Sequence, residues 1–188
     1  ADYNNDGLLT PGEPSTRTAA DGSFSLVSAQ PNASFVSLSD AQTIDTFTGE
    51  NVTGVKLKAP PGSTVITPAT TILSEIRETN PSASAADVAS ALGLPGVDLQ
   101  KFNPFAAGAN ADLALAAEKV ATQIISTVTS ISAAAKGAGA NENTAYDKAL
   151  SAVSSAVLKE INDGNSADSI SLTDSTVLNE IKQEAKSS

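Results

Sequence analysis

The residues with the clearest chemical potential lie at positions 2–13, which read Asp-Tyr-Asn-Asn-Asp-Gly-Leu-Leu-Thr-Pro-Gly-Glu. Counted as a twelve-residue calcium loop, they place Asp2 at position 1, Asn4 at 3, Asp6 at 5, Gly7 at 6, Leu8 at 7, Thr10 at 9 and Glu13 at 12. Each residue type suits its place. A hard cation needs oxygen donors at alternate positions so that the chain can wrap it, a glycine for the sharp turn, a backbone carbonyl from Leu8, and a closing carboxylate. Three carboxylates and the Asn4 amide suit Ca²⁺ better than Mg²⁺, which keeps more of its waters. The spacing therefore predicts a calcium site built on Asp2, Asn4, Asp6, Leu8, Thr10 and Glu13.

Composition narrows the remaining options. The 188 residues contain no histidine, cysteine, methionine or tryptophan, and 21 acidic against 11 basic side chains give a formal charge of -10. Without His or Cys there is no Ser-His or Cys-His nucleophile, no thiolate chemistry and no conventional zinc, haem or iron-sulfur site. Disulfides are excluded as well. The negative balance repels phosphate backbones, and no basic stripe or aromatic platform offsets it, so no nucleic-acid partner is expected. No apolar run reaches the length of a membrane span. These features predict a non-enzymatic protein. With Ala1 in place of an initiator Met, the chain reads as a piece of something longer.

The elements that must position the loop change character near residue 66. Before it, short β-favouring stretches alternate with Gly, Asn, Asp, Pro and Ser. Gly22–Leu26, Ser34–Leu38, Thr43–Thr48 and Val55–Lys58 are predicted strands. Asp21-Gly22 forms a hairpin turn back to Thr16-Arg17-Thr18, and Lys56 and Lys58 face water. After it, alanine-rich segments show helical spacing. Thr67-Pro68 opens a helix to Thr79, and Ser84 opens a short one stopped by Gly93. Asn110 to Ala135 carries Leu113, Ala117, Val120, Ile124, Val128 and Ile131 on one face. Thr144 to Asn162 repeats the rhythm with Tyr146, Leu150, Val153, Val157 and Ile161, and Thr173 caps the last helix. The fold class expected is α+β. It comprises a small antiparallel β-sandwich over residues 1–62, short of one strand, and a bundle of four to six helices over residues 63–188.

The loop and its flanks also resemble a known family. Asp-x-Asn-x-Asp-Gly-x-x-x-x-Gly-Glu, a spacer, then Thr-x-Thr-x-x-Asp-Gly-Ser-Phe-Ser-Leu over residues 2–26 is similar to the calcium-binding B-type (Cna-B-like, carboxypeptidase-regulatory-like) β-sandwich modules of bacterial surface adhesins. Residues 55–135, with Leu57-Lys-Ala-Pro-Pro-Gly, Ala91-Leu-Gly-Leu-Pro95 and Asn103-Pro-Phe-Ala106, more loosely resemble the helical segment that follows such modules in large RTX-type adhesins. The resemblance implies Ca²⁺ on Asp2, Asn4, Asp6, the Leu8 carbonyl and Glu13. It also implies an extracellular or bacterial cell-surface setting and a structural role in an adhesin or matrix protein. Such modules have a strand just before the loop, whereas here the loop begins at residue 2. A competing reading is thus a self-assembling fibre or surface-layer subunit whose open β edge near the N-terminus accepts a strand from another copy. A dockerin-like partner-binding module ranks third, because there is one loop and Pro14, not a helix, follows it.

Three weaker candidates complete the survey. Asp21, Asp40, Asp45 and Glu50 offer oxygen donors for a second ion, or are scattered surface carboxylates. Asn51 with Lys56 or Lys58 has the residue types of a Lys-Asn isopeptide bond, against the plainer reading of a wet strand face. Paired carboxylates could hydrolyse glycosides only beside an aromatic-lined cleft, and Tyr3, Phe24, Phe35 and Phe47 are dispersed.

Overall fold

The computed structural model describes residues 1–45, 49–163 and 169–187. Of the four predicted strands, two form a ladder: β1 (Phe35–Leu38) pairs antiparallel with β2 (Lys56–Ala59). The register sets Phe35 opposite Ala59, Val36 opposite Lys58, Ser37 opposite Leu57 and Leu38 opposite Lys56. The Ser39 N–H extends the pairing by donating to the Val55 carbonyl at 3.0 Å. Two isolated bridges, Asp2 with Ser34 and Ile44 with Asn51, flank this ladder.

The expected β-sandwich is therefore corrected: the described residues form five helices and one two-stranded sheet. The Asp21-Gly22 turn does form, with Gly22 at φ 78° and the Ala19 N–H donating to the Ser23 carbonyl at 2.8 Å, but no ladder grows from it. The third predicted strand is reduced to the Ile44–Asn51 bridge, and its residues 46–48 lie outside the described chain. Burial explains the shortfall. A sandwich needs two apolar inner faces, yet among the described residues up to 58 only Asp2, Gly7 and Ala33 are buried, while Phe24, Val27, Leu38 and Ile44 stay exposed.

The helices follow their local signals closely. α1 (Pro68–Thr79) starts with a reciprocal cap: the Thr67 hydroxyl accepts from the Thr70 N–H at 3.1 Å, and the Thr67 N–H donates to the Thr70 hydroxyl at 2.8 Å. α2 (Ala85–Ala91) is capped by Ser84, and α3 (Ala111–Gly137) by Asn110, whose Oδ1 accepts from Asp112 and Leu113. α4 (Glu142–Asn162) begins two residues before the predicted Thr144. α5 (Ser175–Ser187) is capped by Asp174 rather than Thr173, because the Asp174 carboxylate accepts from the Thr176 and Val177 N–H groups.

The core lies between the helices. Ile72, Leu73 and Ile76 of α1, Val88 of α2, Ile124 and Val128 of α3, Leu150, Val153 and Val157 of α4 and Ile181 of α5 are essentially inaccessible. Fully covered Ala149 and Ala152 on α4 let neighbouring backbones approach closely. The predicted α3 stripe is only half used. Ile124, Val128 and Ile131 are buried, but Leu113 is exposed because the packing covers the later turns of the helix and not the first.

The sheet attaches to this bundle by hydrogen bonds along the outer edge of β2. The Lys58 N–H donates to the Thr71 hydroxyl at 2.9 Å, the Lys58 carbonyl accepts from the Thr70 hydroxyl at 2.9 Å, and the Lys56 carbonyl accepts from the Tyr146 hydroxyl at 2.9 Å. Side chains of α1 and α4 thus occupy the positions a third strand would take. Thr71→Val keeps the side-chain shape but strands the Lys58 N–H, and should cost about 1–3 kcal/mol in urea unfolding. Thr71→Ser should cost clearly less; equal losses would show that the hydroxyl contributes nothing.

Candidate functional site

Short-range hydrogen bonds wind residues 2–13 into a closed loop. The Asn4 Oδ1 accepts from the Asp6 N–H at 3.2 Å, and the Asp6 Oδ1 accepts from the Leu8 N–H at 2.8 Å, two successive side-chain-to-backbone turns. The Asn4 amide also donates to the Asp6 Oδ2 at 2.9 Å. Asn5 at φ 57° and Gly7 at φ 71° supply the left-handed steps that reverse the chain, a region Asn tolerates and Gly enters freely.

Both ends of the loop are tied down. The Asp2 N–H donates to the Ser34 carbonyl at 2.9 Å, and the Ser34 hydroxyl reaches the Asn5 side chain at 2.9 Å. At the neck, the two Glu13 oxygens accept from the Tyr3 and Thr10 N–H groups, each at 2.7 Å. Those amides, Thr10 first and then Tyr3, hold the Glu13 carboxyl below its ordinary range.

Asp2 is the singular member. The residue is only 4% exposed, and its Oδ2 accepts from the Gly7 N–H at 2.9 Å, while its Oδ1 is buried without a hydrogen-bond partner among the described residues. A buried carboxylate oxygen with no donor is costly, and cations are the partners that relieve it best. The fold thus draws Asp2, Asn4 and Asp6 into one turn and commits Glu13 to the neck. The N–H groups of Leu8 and Thr10 are spent on Asp6 and Glu13. Among the described residues no three His, Cys, Asp or Glu side chains converge into a ready metal cage. The donors on the Asp2 side fit a hard cation, with the lone oxygen of Asp2 as the strongest sign.

Among the other sequence candidates, Asp45 and Glu50 are backbone partners, the Asp45 N–H donating to the Glu50 carbonyl at 2.9 Å. Asp21 accepts from the Ser23 N–H; Asp40 pairs with Arg17 at 2.8 Å and also accepts from Gln42. The Asn51 amide donates to the Ala41 carbonyl at 3.0 Å, and both lysines of β2 make other partnerships. No helix follows the loop, since residues after Pro14 run non-helical into β1.

Lys56 and Lys58 are the residues that sequence reasoning misplaced. Instead of facing water, their side chains are only 19% and 16% exposed. Lys56 pairs with Asp147 of α4 at 2.6 Å, and Lys58 with Glu75 and Glu78 of α1. These groups and Asp6 line a cleft of about 420 Å³ between the loop, β2, α1 and α4. Burial raises the Glu75 carboxyl above its ordinary range despite Lys58 beside it. Burial also opposes the charged form of Lys58, but its hydrogen bonds to Glu75 and Glu78 prevail and raise it. One signal was available in the sequence: two lysines spaced to share a strand face, in a chain with a large carboxylate surplus.

No known family model, curated protein or solved structure matches this chain.

Because the folded Glu13 carboxyl is depressed, its stabilising contribution is fully present above the unfolded glutamate value and is lost as pH falls through the folded one. Amide exchange at Tyr3 and Thr10, compared with that at Lys58, should therefore accelerate as the pH falls below 4.5, after correction for intrinsic rates. Glu13→Ala should show fast exchange at both amides at neutral pH. Unchanged protection in that variant would remove Glu13 from the neck.

Proposed function

We propose that this chain is a non-enzymatic, calcium-stabilised structural module of a secreted or cell-surface protein, in which an ion at the N-terminal loop stiffens the attachment of the sheet to the helical bundle. The observation that supports it most is the buried, partnerless Oδ1 of Asp2 in a loop where Asn4 and Asp6 add oxygen donors. Asp2, Asn4 and Asp6 would hold the ion with the Leu8 carbonyl and Thr10, while Glu13, whose two oxygens accept the Tyr3 and Thr10 amides, would brace the neck of the loop. Bound calcium would neutralise the Asp2 and Asp6 charges. The resemblance to adhesin modules supports this reading through the loop residues alone, since the sandwich is not part of the fold. A single loop of modest affinity suits millimolar extracellular calcium.

At calcium about tenfold above Kd, binding should stabilise the fold by about 1.4 kcal/mol, a rise in Tm of about 3–6 °C over the chelated protein. Asp6→Ala should abolish the shift. Asp2→Asn keeps an acceptor for Gly7 and removes the charge, so it should lose the calcium response without loss of stability in chelator. No calcium-dependent shift in the wild type would refute the reading.

A second reading, association of copies through β1, is favoured by one observation. The Lys58 N–H is given to Thr71, so Val36 and Lys58 form a non-hydrogen-bonded pair and the polar backbone of Val36 points away from β2. The Asp2–Ser34 bridge already begins antiparallel pairing on that edge. Concentration-dependent sedimentation that Val36→Pro abolishes would support a strand from a second copy there. A monomer at all concentrations would dismiss it.

A further inference from the structure

Two lysines, Lys56 and Lys58, stand beside the loop proposed to hold a divalent cation. Lys56 is the closer of the two. A Cβ added to Gly7 would lie 3.4 Å from the Lys56 Nζ and 3.6 Å from its Cδ, so the ammonium rests against the loop backbone. Asp6 lines the same cleft. The Lys56 ammonium is held there by Asp147 at 2.6 Å, and the Asp147 side chain is 54% exposed. Lys58 is differently placed, since Glu75 and Glu78 engage it from α1 and turn its charge toward that helix. Lys148 adds one further positive charge to the lining of the cleft.

We propose that Lys56 is a tethered cation that competes with calcium for the Asp6 side of the loop, and that Asp147 restrains it, so that this ion pair sets the calcium affinity. The inference rests on the calcium reading above. A flexible lysine stem of four carbons lets the ammonium choose between carboxylates on either side of the cleft. While Asp147 holds it, the loop carboxylates remain available to calcium. When Asp147 is removed, the ammonium, already against Gly7, can turn to Asp6 on the same cleft, and calcium must then displace a resident positive charge. Linkage makes the effect reciprocal. Calcium on the loop repels the ammonium toward Asp147 and strengthens the bond between β2 and α4 by the same factor. The loop would in this way report its occupancy to the helical bundle through a single side chain.

The test is a calcium titration of the full chain against a chromophoric chelator, at low ionic strength and again at 1 M salt. Four proteins are compared: wild type, Lys56→Met, Asp147→Asn and the double variant. Methionine keeps the apolar stem that β2 half buries, and thermal melts in chelator establish that all four fold. At low salt Lys56→Met should bind calcium about threefold to tenfold more tightly, as expected for removing one charge near a divalent ion. Asp147→Asn should bind about threefold more weakly, but should have little effect when Lys56 is already Met. High salt should compress all of these differences. An equal loss for Asp147→Asn in both backgrounds would show that Asp147 acts only by its own charge and would overturn the proposal. So would unchanged affinity in both single variants. If the wild type binds no calcium, the calcium reading falls first and this inference falls with it.

Discussion

The architecture depends on one constraint: the outer backbone edge of β2 must find hydrogen-bond partners without a third strand. Thr70 and Thr71 of α1 and Tyr146 of α4 supply them with hydroxyl groups. Three hydroxyls thereby replace a strand and terminate the sheet at two members. The same contacts fix where β2 sits, and β2 fixes where its lysines lie against the loop. A sheet of two strands is marginal by itself, so β1 and β2 borrow their stability from the bundle.

From this attachment follows the electrostatic character of the cleft. In a chain of net charge -10, Lys56 and Lys58 are drawn between carboxylates of α1 and α4. Burial raises the Glu75 carboxyl, while the bonds to Glu75 and Glu78 hold Lys58 in its charged form. The loop above is organised by different means. Its carboxylates are committed mainly to backbone amides, Glu13 with both oxygens, and among the loop's carboxylates Asp2 keeps a buried oxygen with no partner among the described residues. Loop and lysines together place negative and positive charge within one cleft, where an arriving cation would alter the balance between them.

Much of the helical half was legible from local chemistry. Thr67-Pro68, Ser84 and Asn110 at helix starts, and Gly93 and Gly139 just past the ends of α2 and α3, mark boundaries within a few residues, because capping depends on side chains adjacent in sequence. Asp174 displaced Thr173 as a cap, a choice between neighbours that propensity does not resolve. The β half was less legible. Alternation around Phe24 and Ile44 has the period of a strand, but a strand also needs a partner with a free edge and a core to bury its apolar side. The core is what is lacking, because so little of the region up to residue 58 is buried.

By itself, the sequence determined the helices, the absence of histidine and cysteine chemistry, and the loop at Asp2–Glu13, since each rests on residue identity or on spacing within a dozen positions. Only the tertiary structure decided that the sheet stops at two strands, that Asp2 is buried with one oxygen unpaired, and that Lys56 and Lys58 face carboxylates of α1 and α4. Those facts depend on contacts between residues as far apart as Lys56 and Tyr146. Such contacts leave no periodic trace in the chain, because what fixes them is the need to satisfy buried polar groups once the helices have packed.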